Sequence, residues 1–207
     1  MRSRGARLLA VLGLLWAGPA EAQVLDRILA VVAGHVITAS DIEAFLGLGL
    51  TGVAPGAADA EERVLEHLID RRLVLDEADR LLTADPPPAR IETALEEVAA
   101  RFSGPDAFAS FLARTGLSPD DLRQILRDEA RRESYLRARF GPPEPADDDL
   151  RTYYEQRSGE FAEDGRPNGF EAAREAVRQR LLAIREAEIE DWIADLARRA
   201  PIARFDR

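Results

Sequence analysis

Apolar residues recur at helical steps through most of this chain and switch to strand-like runs near its two ends. At the front, residues 27–32 form a β-branched apolar run, Ala33-Gly34 supplies a turn and residues 35–38 return, which predicts a hairpin within residues 24–38. Two strands alone are marginal in water, so a third strand or a helix must cover them. Ser40-Asp41-Ile42-Glu43 has the pattern of a capping box and predicts a helix through Leu46 and Leu48, which Gly47, Gly49 and Gly52 weaken. After a loop at 52–58, Glu61 and Glu62 place negative charge on the first turn of a second helix that runs to Leu82. Its wide apolar face, with Leu65, Leu68, Ile69, Leu73, Leu75 and Ala78, marks it as a central core helix.

Pro86, Pro87 and Pro88 force a break and put a proline at the start of a third helix through Ile91, Leu95, Val98 and Phe102. A short fourth helix carries Phe108, Phe111 and Leu112 and stops at Gly116. Ser118-Pro119-Asp120-Asp121 combines a cap, a first-turn proline and first-turn acids, and opens a fifth helix that reaches Phe140. Gly141-Pro142-Pro143-Glu144-Pro145 is the clearest boundary in the chain. Beyond it, Asp147, Asp148 and Asp149 open a helix with Leu150, Tyr153 and Tyr154 that ends near Phe161, and residues 163–169 read as a polar loop.

The last stretch, residues 170–205, is a long run of strong helix formers without glycine or proline until Pro201. Phe170, Val177, Leu181, Ile184, Trp192 and Leu196 give it one apolar stripe. A single helix cannot bury such a stripe against itself, so the helices from Ser40 to Phe140 are expected to cover it. Residues 202–205 alternate like a strand and are expected to add a third strand to the hairpin. The fold class is therefore mostly α: a multi-helix core with a small β-hairpin and a C-terminal strand, closed by a long C-terminal helix.

Composition narrows what such a fold can do. The 207 residues carry a formal net charge of -10. Residues 1–22 read as a cleaved signal peptide, with Arg2, Arg4 and Arg7 before a short apolar run and Ala20-Glu21-Ala22 as a small-x-small site. That run is too short to span a bilayer, so no stable membrane insertion is expected. Removing the leader takes away a net +2 and leaves -12, an acidic balance that argues against nucleic acid as a partner. Cysteine is absent, which excludes disulfides, a thiol nucleophile and thiolate metal sites.

Candidate chemistry is sparse. His35 falls at the hairpin turn and His67 on the second helix, without the spacing of a metal site or an acid–base pair. Asp147-Asp148-Asp149 lacks the alternate spacing and glycine of a calcium loop and reads as helix capping. No phosphate-cradling or nucleophile motif occurs, so no catalytic residue, cofactor or metal is expected. What remains is aromatic: Phe45, Phe102, Phe108, Phe111, Tyr135, Phe140, Tyr153 and Tyr154. These residues either fill the core or line a groove for an extended apolar peptide, and the sequence leaves both open.

Three segments taken in order resemble the SurA family of periplasmic chaperones and parvulin-type peptidyl-prolyl isomerases. They are residues 25–42, residues 68–78 with 117–123, and residues 177–182 through 192–202. The resemblance implies an N-terminal chaperone domain at 23–142, a linker helix and short polar bridge at 143–169, and a C-terminal helix and strand at 170–207 that pack on the first domain. In the family, a helix resembling residues 147–161 leads into an isomerase domain with paired histidines; here the bridge at 162–169 stands in its place. The resemblance thus implies a periplasmic, non-enzymatic holding chaperone for unfolded outer-membrane or other exported polypeptides, and it leaves a homodimer open. A structural assembly subunit with a filled groove and a degenerate prolyl isomerase are the rival readings.

Overall fold

The computed structural model describes residues 26–54, 56–81, 84–163, 166–167 and 169–205. The leader and Leu82 lie outside the described residues. Strand β1 (Ile28–Val32) turns through Ala33 and Gly34, both at positive φ (48° and 88°), into β2 (His35–Thr38). This is the backbone that a two-residue hairpin linkage requires, and Gly34 adopts it without steric cost. The third strand, β5 (Ile202–Arg204), pairs antiparallel with β1 on its other side, giving the order β2-β1-β5. The sheet therefore joins the two ends of the described chain. Ala30 and Val32 are fully buried on its inner face, while Ile28, Val36 and Phe205 are exposed.

Helix α1 (Ala39–Leu48) begins earlier than the Ser40 pattern predicts. Thr38 is the N-cap: its Oγ1 accepts from the Asp41 backbone N at 3.3 Å, and its own backbone N donates to Asp41 Oδ2 at 2.8 Å. The chain enters through β2 still extended at Thr38, so the box closes there and the Ser40 backbone N donates instead to Asp26 Oδ1. Gly47 sits inside this helix, where the ring of Phe111 occupies the space a side chain would need.

Helix α2 (Ala60–Arg80) runs under the sheet and through the molecule. Its Val64, Leu68, Ile69 and Leu73 pack with the sheet's inner face and with Ile42 and Phe45 of α1. Helices α3 (Pro88–Ala99), α4 (Pro105–Thr115) and α5 (Pro119–Phe140) each carry a proline in the first turn, and α5 is capped by Ser118 with Asp121. They enclose a second core around Leu48, Val98, Phe111, Leu122 and Leu126. Ion pairs stitch α2 to α5, with Arg71 joined to Asp128 at 3.4 Å and also to Glu129, and Arg131 joined to Asp79.

After residues 141–146, α6 (Asp147–Arg157) is followed by a 3-10 turn (Ser158–Phe161) rather than continuing as helix to Phe161. The expected polar loop contains a small hairpin, β3 (Ala162–Glu163) against β4 (Arg166–Pro167). Helix α7 (Phe170–Arg199) then spans the molecule. Its apolar stripe is divided. The second half, with Ile189, Trp192, Ile193 and Leu196, packs on α2, α5 and the sheet's core. The first half packs on α6 instead: Ala173 and Val177 are buried with Leu150, among Tyr153, Tyr154, Phe161 and Phe170. The helices from Ser40 to Phe140 thus cover only part of the stripe, because α6 folds back alongside the start of α7. Among the described residues no helix is long and apolar enough to cross a membrane.

Candidate functional site: a groove along the middle of the long helix

Between its two packed halves, α7 leaves a stretch with no core to join. Leu182 and Ile184 are half-buried, yet they belong to none of the four buried clusters. They form one wall of an open groove of about 530 Å³. The end of α5 and the proline-rich connection supply a second wall, with Phe140, Pro142 and Pro145. The third comes from α6, which presents Asp149, Thr152, Tyr153 and Gln156 at one-turn spacings. The prolines hold this connection extended without backbone N–H groups of their own, so it cannot coil up and fill the space.

Polar groups are set around this apolar floor. Arg185 turns inward, its Nη2 donating to the Gly141 carbonyl at 3.4 Å, while its Nε is buried without an acceptor among the described residues. Glu188, one turn further along α7, is exposed and makes no ion pair or hydrogen bond among the described residues. Asp149 accepts from the Ala146 backbone N at 3.2 Å and so holds the start of α6. Beside the groove, the Arg139 guanidinium lies 5.3 Å from the Phe140 ring centre and 4.9 Å from that of Trp192.

The aromatic residues singled out from the sequence fall into separate places. Phe140 and Tyr153 line the groove. Tyr154, half-buried, packs with Phe161 and Phe170 just behind the α6 wall. Tyr135 is buried and stacks on Trp192, which also meets Phe140 edge-on. Phe102, Phe108 and Phe111 form their own cluster in the second core, and Phe45 is buried against α2 beside His67. Reasoning on aromatics alone passes over Leu182, Ile184, Pro142 and Pro145. The available signal was the conjunction of a proline run with the midpoint of a helix too long for one core. Among the described residues no three His, Asp or Glu side chains converge as metal ligands would.

No family model matches the chain, and no curated protein matches it by sequence. Among solved structures, the chain is similar to one reported with two SurA-like chaperones of Campylobacter jejuni, the virulence factor PEB4 and the periplasmic protein Cj1289. The match has 12% identity and a TM-score of 0.45, and it covers 87% of this chain and 100% of that one.

Proposed function

We propose that this protein is a holding chaperone that binds extended apolar segments of unfolded exported polypeptides along the groove beside α7. The observation that carries the reading is the pair Leu182 and Ile184: apolar, half-buried and committed to no core. Small-molecule sites bury about 70–90% of their ligand, and a groove this open cannot enclose one. A polypeptide needs no enclosure. Its side chains can lie on Phe140, Leu182 and Ile184 while its backbone carbonyls meet a donor such as the exposed Gln156 amide. A few such contacts, less the ordering of a flexible client, give weak and broad binding suited to holding and release.

The sequence segments that resemble the SurA family point the same way. On that reading the leader at 1–22 directs the chain to the periplasm, where outer-membrane proteins travel unfolded. Residues 143–169 then serve as the arm that forms the groove, in the place where an isomerase domain would otherwise stand. The activity proposed is binding without chemistry.

The test is suppression of aggregation of an unfolded outer-membrane barrel protein. The wild-type chain is expected to suppress aggregation at equimolar ratio. Leu182→Glu and Ile184→Glu are expected to lose most of that effect while keeping the wild-type melting temperature, because neither side chain serves a core. No suppression by the wild type at excess, or full suppression by both variants, refutes the reading.

A further inference from the structure

The groove's charges are arranged unevenly, and the arrangement bears on which polypeptide segments it accepts; this inference rests on the groove being the client site. Three charged side chains line it: Asp149, Arg185 and Glu188. The one cation is withdrawn. Arg185 is half-buried, points to the Gly141 carbonyl and has its Nε out of solvent's reach. The two carboxylates are both exposed, one on the wall formed by α6 and one on the wall formed by α7. Glu188 has no partner among the described residues. Other charges on α7 are spoken for, as Arg178 is by both Glu175 and Glu144, but Glu188 is the unpaired acid of this helix that lines the groove. Arg139 is already engaged over Phe140 and Trp192 and is not part of the lining.

An apolar floor with an unpaired carboxylate beside it fits a segment in which apolar residues are followed by a cation. We infer that the groove selects extended apolar segments flanked by a basic residue, and that Glu188 is the residue that sets this preference, with Asp149 assisting from the wall formed by α6. A lysine or arginine at the flank gains an ion pair that Glu188 otherwise lacks; an acidic flank meets like charge from both walls. The overall negative charge of the protein adds a diffuse contribution of the same sign. Glu188 makes a directed one.

The experiment uses fluorescence anisotropy with three labelled peptides that share one aromatic-aliphatic core and carry lysine, serine or glutamate flanks. Each is titrated with the wild-type protein, Glu188→Gln, Glu188→Arg and the control Glu96→Arg, which alters charge on α3, a helix absent from the groove. The readout is the ratio of Kd values for the glutamate- and lysine-flanked peptides within each protein. The wild type is expected to favour the lysine flank by about five-fold, as exposed pairs allow. Glu188→Gln should bring that ratio towards one, and Glu188→Arg should invert it. Glu96→Arg should leave it near the wild-type value, and salt at about 0.5 M should flatten it in every protein. Equal binding of the three peptides, or a ratio that both Glu188 variants leave unchanged, overturns this inference and leaves the groove reading standing. Failure of all three peptides to bind overturns both.

Discussion

Gly47 of α1 lies against the ring of Phe111 on α4: a Cβ at position 47 would stand 2.7 Å from Cζ and closer still to Cε2. Phe111 cannot yield, since it is buried and in contact with Phe102. In an exposed helix, alanine would be better than glycine by about 1 kcal/mol. Here overpacking, at about 1–3 kcal/mol, outweighs that gain. Gly47→Ala is therefore expected to destabilise the protein by about 1 kcal/mol, read as a lower midpoint in urea unfolding. An unchanged or higher midpoint would show that α1 and α4 separate easily.

Ala33 offers the opposite change. It holds φ at 48° in the β1–β2 turn, a region where side-chain-bearing residues are strained and asparagine is tolerated best. Ala33→Asn is expected to raise stability by about 0.5–1 kcal/mol. The backbone N of Ala33 donates to the Pro201 carbonyl at 2.9 Å, and asparagine leaves that bond in place. A fall in melting temperature would contradict this account of the turn.

The half-buried face of α2 makes stability depend on pH in two opposing ways. Burial, then the charge of Glu66, pushes Asp70 up from 3.8 to about 6; Glu190 adds to this, while Arg132 and Arg204 oppose it. A carboxyl raised in the folded state costs stability above about pH 6, and the cost fades as pH falls towards 3.8. His67 is held below its ordinary 6.5, chiefly by burial, so its own contribution to stability is lost as pH drops through that value. Asp70→Asn isolates the first effect. The variant is expected to be more stable than wild type by about 1 kcal/mol near neutral pH, after discounting for the solvent that still reaches the carboxylate. The advantage should vanish by about pH 4. An advantage that grows as pH falls would reverse the assignment.

Removing residues 201–207 takes away more than a short strand. Gone with it are the β5–β1 pairing, the bond from the Phe205 backbone N to the Leu29 carbonyl, and the Arg204 Nη2–Glu66 Oε2 contact at 2.8 Å. The melting temperature is expected to fall by about 5–10 °C, on a loss of about 2–3 kcal/mol. Amide exchange in residues 28–32 should accelerate with it. A truncated chain with full protection in β1 would show that the sheet is stable on two strands.

Most of the architecture is legible in the sequence because it is locally encoded. Pro88, Pro105 and Pro119 each mark a helix start, and the turn at Ala33-Gly34 and the strand after Pro201 announce themselves by composition. The Thr38 cap is missed because Ser40 offers the same chemistry two residues later, and only the extended backbone arriving from β2 decides between them. The groove is not legible for a different reason. Leu181 and Leu182 are neighbours of one type and both line the groove, yet only the first also packs with the α6 cluster. That distinction exists only once α6 has folded back and stopped short. Aromatic residues mislead in the same way: the property that suits them to a client surface suits them equally to a core, where Phe45, Phe111 and Tyr135 are found.

Because β1 is the middle strand and its second neighbour is β5, the sheet has a built-in order of events. Residues 28–32 leave the ribosome long before residues 202–204, so during all that time β1 has one open edge. The sheet cannot be finished piecemeal from the front. A chain halted anywhere between the two strands keeps that edge of β1 unpaired, and only synthesis through residue 204 completes the sheet.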